Sequence, residues 1–115
     1  MNIETEHKEF IASFIECAAW QALGDDGETL DKYEFSPGAI VTMTEWCHEF
    51  LQANVHELKW YGPIEAGRCF ALSANSQGAG FIDHTGEDAR RLCERTKPYA
   101  YNVWLDNDTK TLFVE

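Results

Sequence analysis

Negative charge in this chain is concentrated in its first half. Residues 1–58 contain twelve of the twenty acidic residues but only two of the nine bases, Lys8 and Lys32. Their formal charge is therefore −10, which leaves −1 for residues 59–115 out of a total of −11. Acidic chains of this kind are often disordered, but disordered chains lack aromatic residues. With fifteen Phe, Trp and Tyr residues, this chain is instead expected to fold around a core.

Length and composition predict a single domain over residues 1–115. A chain of this size is within the usual range for one domain, and its 44% hydrophobic content is sufficient for a core. The four cysteines are widely spaced and form no CxxC pair, and the N-terminal MNIETEHKEF is polar and acidic. We therefore expect no signal peptide, no membrane helix and a cytoplasmic protein with reduced, mostly buried thiols.

Hydrophobic spacing predicts two helices in the first half. Phe10, Phe14, Cys17 and Ala18 recur at helical spacing within residues 5–23. An acidic loop is expected over residues 24–35. Ser36 and Pro37 then supply an N-cap and a first helical residue, and the second helix is expected to continue to about Leu58. Its predicted buried stripe is Ile40, Met43, Cys47, Phe50, Leu51, Val55 and Leu58.

The second half has the sequence signals of short strands. Glycines and a proline over residues 62–67 predict a linker, and residues 69–74 and 79–83 predict a hairpin joined by a turn. A third helix is expected over residues 87–97, ended by Pro98. Strands are predicted at 99–105 and 111–114, joined by a turn at 106–109. The resulting order, α-α-β-β-α-β-β, predicts an α+β fold with a small antiparallel sheet packed against helices.

Several familiar site patterns fail when they are compared with this sequence. Gly78 and Gly80 begin a dinucleotide fingerprint, but its third glycine is replaced by Asp83. Asp106 and Asp108 resemble the start of a calcium loop, but Lys110 stands at a ligand position. We therefore predict turns at both places, and no cofactor or metal.

Cysteine and nucleic-acid chemistry are also disfavoured. Cys47 and His48 are adjacent on a helix, so their side chains diverge, and we interpret them as a core thiol and a rim histidine. An acidic environment raises the pKa of thiols and disfavours a cysteine nucleophile, so no enzyme is predicted. The tryptophans lack the basic groove that nucleic-acid binding requires. The bases of the third helix are interspersed with acids, which predicts a solvated mixed face.

Two interpretations of the acidic half remain open. Surface carboxylates keep small proteins soluble, which would explain the charge without any partner. Alternatively, they mimic a polynucleotide. Duplex DNA presents phosphates about 3.4 Å apart along each strand, and the Cα atoms of acids four residues apart on a helix lie about 6 Å apart along its axis. The predicted partner-binding residues are Asp25, Asp26, Glu28, Asp31, Glu34, Glu45 and Glu49.

One segment resembles small phage and prophage proteins. In that family a strand, a tight turn and a GAGF sequence form a hairpin, as residues 70–83 would here. The resemblance extends to Ala18–Leu23 in the first helix and to the final Asp108–Leu112 segment. This chain departs from the pattern at Ile82, where an aromatic residue is usual.

Size and acidity also make the chain similar to acidic type I-F anti-CRISPR proteins, which occupy the DNA channel of a crRNA-guided surveillance complex. That resemblance implies a monomeric, non-enzymatic inhibitor that acts in the bacterial host, with a basic DNA-binding Cas surface as partner. The alternative is a phage accessory protein that binds a host protein through an apolar patch, with its acidity serving only solubility. Affinity that falls steeply with salt would separate mimicry from an apolar contact.

Overall fold

The computed structural model describes residues 3–21, 33–59, 61–75, 81 and 86–115. These residues form an α+β fold, as predicted. Its helices are α1 (Ile3–Gln21), α2 (Pro37–Ala53), α3 (Val55–Leu58), α4 (Pro63–Ala74) and α5 (Glu87–Arg95), with a 3₁₀ turn at Lys97–Tyr99. Its strands are β1 (Glu34–Phe35), β2 (Val103–Asp106) and β3 (Thr111–Val114).

Helix α1 matches its sequence pattern closely. Phe10, Phe14, Cys17 and Ala18 are all buried, as their spacing predicted. Ile11 and Ile15 are partly buried and pack at the edge of the same core. The apolar stripe of α1 therefore faces the interior along most of its length.

Helix α2 begins as predicted but ends earlier. The Ser36 hydroxyl accepts a hydrogen bond from the Ala39 backbone N–H at 3.0 Å, and Pro37 is the first helical residue. The helix stops at Asn54, whose side chain donates to the Phe50 carbonyl at 2.9 Å and accepts from Arg95 at 2.7 Å. This buried amide separates α2 from α3, so the prediction of one helix to Leu58 was wrong.

The stripe predicted for this segment is only partly buried. Met43, Cys47, Phe50 and Leu58 are buried, and Leu51 is half-buried. Ile40 and Val55, by contrast, are 36% and 63% exposed. Val55 is displaced from the stripe because it follows the break at Asn54.

Helix α4 replaces the predicted linker at 62–67 and the predicted strand at 69–74. The apparent alternation at 69–74 is part of a longer helical pattern, in which Ala66, Phe70 and Ala74 are buried four residues apart. Gly62 and Pro63 start the helix instead of marking a linker. The predicted hairpin is therefore wrong in its first strand. Phe81, from its second strand, lies in a 3₁₀ conformation, and the rest of 76–85 lies outside the described residues.

The three described strands form a mixed sheet in the order β1-β3-β2, not the antiparallel sheet that we predicted. Strand β2 is antiparallel to β3, whereas β1 is parallel to it, with Phe35 opposite Leu112. The prediction of β3 was confirmed. The predicted strand at 99–105 begins only at Val103, because the chain around Pro98 forms the 3₁₀ turn.

The largest fully buried side chains of the core are phenylalanine rings. Phe50 and Phe70 stack at 4.1 Å between ring centroids, and Phe14 lies 4.9 Å from Phe70. The buried Tyr101 donates a hydrogen bond to the Ala71 carbonyl at 3.1 Å. These contacts connect α1, α2, α4 and the segment before β2. In the part of the chain that is described, no helix is long and apolar enough to cross a membrane.

Gly67 is the point of closest approach between α1 and α4. A Cβ atom built at Gly67 would collide with the Phe10 backbone carbonyl of α1 and would crowd Ser13. Backbone atoms cannot rotate away as side chains can, so the contact requires glycine. Gly67 was predicted as part of a linker, and its role in helix packing became apparent only from the fold.

We expect Gly67→Ala to lower the free energy of unfolding by about 1–3 kcal/mol, because overpacking forces backbone shifts. Gly38→Ala is the matched control, since its Cβ would meet only the Ser36 hydroxyl at 4.0 Å. That change should be neutral or stabilising by up to about 1 kcal/mol, because alanine favours helix. Urea unfolding measures both values. Equal effects of the two substitutions would contradict the close packing at Gly67.

Candidate functional site

The described acids of α4 and α5 lie beside bases, whereas Asp106, Asp108 and Glu115 of the second half have no ion pair among the described residues. On α5, Glu87 lies 3.3 Å from Arg91, and Asp88 lies 3.4 Å from the same guanidinium. Glu94 lies 3.0 Å from Lys97. These contacts confirm the predicted mixed face of the third helix. Such exposed pairs add little stability, but they cancel the local field.

Acids of the first half are largely uncompensated. Among the described acids of residues 1–58, only Glu57 forms an ion pair, at 2.9 Å from Arg95. The hydrogen bond from Arg95 lowers the pKa of Glu57. Six other acids of this half have described side chains, and none of them has an ion pair within the described part of the chain. They are Glu6, Glu9, Glu16, Glu34, Glu45 and Glu49.

Two predicted residues, Glu45 and Glu49, lie together on α2. Both are exposed, and they are one helical turn apart, about 6 Å along the axis. Glu49 is also fixed in position, because the Tyr99 hydroxyl donates a hydrogen bond to its Oε1 at 2.8 Å. Burial, together with this bond and the charge of Glu49, raises the pKa of Tyr99 to about 12. A carboxylate held in this way loses less side-chain entropy on binding a partner.

Glu34 belongs to a different side of the molecule. It is exposed on β1 and lines a groove together with Glu16 and Ile40. Ile40 and Glu49 are about two and a half helical turns apart, so they project from opposite sides of α2. The structure therefore groups Glu45 with Glu49, and Glu34 with Glu16. The predicted loop residues Asp25, Asp26, Glu28 and Asp31 lie outside the described residues.

The groove beside Glu34 is mainly apolar and has a volume of about 890 Å³. It is bordered by α1, β1, the start of α2 and α4. Trp20 and Ile64 line it and remain 63% and 61% exposed. Arg68 lies at the same groove and forms an ion pair with Glu65 at 3.8 Å. Sequence reasoning missed this groove, because Ile64 had been assigned to a linker and α4 had not been recognised.

Burial disfavours nucleophilic chemistry at two of the thiols, Cys17 and Cys47. All four cysteines are free, and Cys17, Cys47 and Cys69 are buried. Burial raises the pKa of Cys17 and Cys47, which suppresses the thiolate that a nucleophile requires. Cys47 is a core thiol and His48 is exposed, as predicted. No group of three or more metal-ligating side chains occurs among the residues that the structure describes.

No protein-family model, curated protein or solved structure matches this chain significantly. The resemblance to phage proteins and to type I-F inhibitors therefore stays a prediction from the sequence.

We expect Glu49→Gln to lower the pKa of Tyr99 towards its ordinary value, because the substitution removes the adjacent negative charge. The pKa should stay above 10, since burial is the larger cause of the shift. Glu45→Gln removes the same charge one turn away and should change this pKa much less. Titration of the Tyr99 ¹³Cζ resonance by NMR measures both values. An unchanged pKa in Glu49→Gln would contradict the contact.

Proposed function

We propose that the chain is a non-catalytic inhibitor that binds a cationic, DNA-binding protein surface and so keeps DNA away from it. The uncompensated carboxylates of the first half carry this proposal. The acids of α5 lie beside bases, whereas those described on α1, β1 and α2 have no ion pair with a described residue. Solubility alone would not require this difference. A basic groove that normally receives phosphates would supply the missing counter-charges.

Among these acids, the Glu45–Glu49 pair is the favoured contact. Both carboxylates are exposed, and Tyr99 holds Glu49 in place. Their Cα atoms lie about 6 Å apart along the helix axis, which is close to twice the phosphate spacing of about 3.4 Å along one DNA strand. Glu16 and Glu34 are less favoured, because the groove that they line is mainly apolar. The loop acids Asp25, Asp26, Glu28 and Asp31 remain part of the sequence-based hypothesis.

The proposed target is the DNA-binding surface of a crRNA-guided surveillance complex, with type I-F as the first to test. The sequence resemblance supports this choice, and so do the small size and the charge of −11. The inhibitor would act in the cytoplasm of the bacterial host, as a monomer. Mutual repulsion between copies of such an acidic chain favours the monomer.

A double substitution, Glu45→Lys with Glu49→Gln, should weaken binding to the surveillance complex at least about tenfold, because close interfacial charge pairs are worth about 1.5 kcal/mol or more. Glutamine at 49 keeps an acceptor for the Tyr99 hydroxyl, which protects the fold. Competition with fluorescent target DNA measures the loss of inhibition.

The matched control is Glu87→Lys with Glu94→Gln on α5. It changes the net charge by the same amount, but it alters carboxylates that already have partners. This variant should inhibit nearly as well as the parent protein. The proposal fails for the Glu45–Glu49 pair if the α2 variant retains full inhibition, or if the two double variants lose it equally.

The apolar groove supports a second candidate function, binding of a host protein through Trp20. Tryptophan at the centre of an interface is a common source of affinity, and Trp20 is 63% exposed beside Ile64. In that case acidity would serve only solubility. Binding would then be nearly independent of salt, whereas charge mimicry should weaken steeply as salt rises.

We expect Trp20→Ala to leave inhibition of DNA binding unchanged under the mimicry proposal. The second candidate instead requires a loss of affinity of about 2 kcal/mol or more. Trp104→Ala is a suitable control, because Trp104 is also exposed but stacks on Phe113 on the sheet. Affinities measured at low and high salt for all three proteins separate the two functions. A large, salt-independent loss for Trp20→Ala alone would favour the groove over the acids.

A further inference from the structure

A pair of histidines joins α1 to α2 at the surface. His7 and His48 are 41 residues apart in the sequence, yet their Nδ1 atoms lie 3.2 Å from each other. The ring centroids are 5.3 Å apart and the ring planes are inclined at 47°. His48 is exposed and His7 is half-buried, so ions in solvent can reach the pair. A hydrogen bond between two imidazoles also requires at least one of them to be neutral, and the neutral form is the one that binds metals.

The distance between the two nitrogens suits a chelate. Zinc lies about 2.0–2.1 Å from histidine nitrogens in a tetrahedral site, which places two such nitrogens roughly 3.3–3.4 Å apart. The observed 3.2 Å is within a few tenths of an ångström of that separation. A chelate would require each ring to turn so that its Nδ1 lone pair points at a shared ion instead of at the other ring.

The surroundings favour a dication. Glu45 lies one turn before His48 on α2, and it has no ion pair among the described residues. Such a carboxylate lowers the energy of a nearby cation. No third ligating side chain completes a cluster in the described part of the chain, so water would fill the remaining positions. This ligand set suits borderline metals that accept imidazole, and it is a poor match for Ca²⁺ or Mg²⁺, which prefer oxygen ligands.

We propose that His7 and His48 together form a surface site for one borderline transition-metal dication, such as Zn²⁺ or Cu²⁺. The two ligands come from different helices, so the site exists only in the folded chain. An ion bound there would bridge α1 and α2 and stabilise the native state by linkage. With two protein ligands the affinity should be modest, and Cu²⁺ should bind more tightly than Zn²⁺.

The test is titration of the untagged chain with ZnCl₂, followed by calorimetry and by thermal unfolding. The parent protein should bind one Zn²⁺ at this site and unfold at a higher temperature when Zn²⁺ is present. His7→Ala and His48→Ala should each weaken this binding at least tenfold and abolish the thermal shift. The matched control is His56→Ala, which removes a single exposed histidine from α3 and should leave both signals unchanged.

The double variant, His7→Ala with His48→Ala, tests whether the two rings act together. A shared ion requires both, so the double variant should bind Zn²⁺ no more weakly than either single variant. Circular dichroism without metal verifies that each variant is folded. The proposal is overturned if the parent protein binds no Zn²⁺, if either single variant binds it as the parent does, or if His56→Ala abolishes binding.

Discussion

The close packing of α1 against α4 is the contact on which the rest of the structure depends. It is possible because Gly67 lets the Phe10 carbonyl approach the backbone of α4. This approach places Phe70 between Phe14 and Phe50, and so joins α1, α4 and α2 in one aromatic core. Since these helices use their apolar stripes for that core, their carboxylates are left on the outside. The acidic surface is therefore a consequence of how the core is assembled.

Sequence patterns predicted the elements whose signals are local. The stripe of α1 and the Ser36 cap of α2 depend only on neighbouring residues, and both were confirmed. Helix α4 was missed, because a run of small and apolar residues at 69–74 suits a strand as well as a helix, and only burial against α1 decides between them. Strand β1 was missed because two residues are too few to show alternation. The stop at Asn54 was also missed, and the buried amide there bonds both to the Phe50 carbonyl of its own helix and to Arg95, 41 residues away.

The candidate site was predictable in charge but not in arrangement. Counting residues identified the acidic half, and helical spacing correctly placed Glu45 beside Glu49. The sequence could not show that the Tyr99 hydroxyl holds Glu49. Nor could it show that Glu34 and Glu16 line one groove, on the side of α2 opposite to Glu49. Those relations, like the contact between the two histidines, join residues that are distant in the sequence, so they depend on the tertiary fold. Which acids retain partners is likewise a property of the folded surface.

The central claim is that the carboxylates of α2 meet cationic side chains of the target. Zero-length carbodiimide cross-linking of the complex, followed by mass spectrometry, tests it most directly, because it joins only carboxylates and amines that are already in contact. The account predicts cross-links from Glu45 and Glu49 to lysines that line the DNA-binding surface of the surveillance complex. Cross-links only from the acids of α5, or to lysines away from that surface, would contradict it.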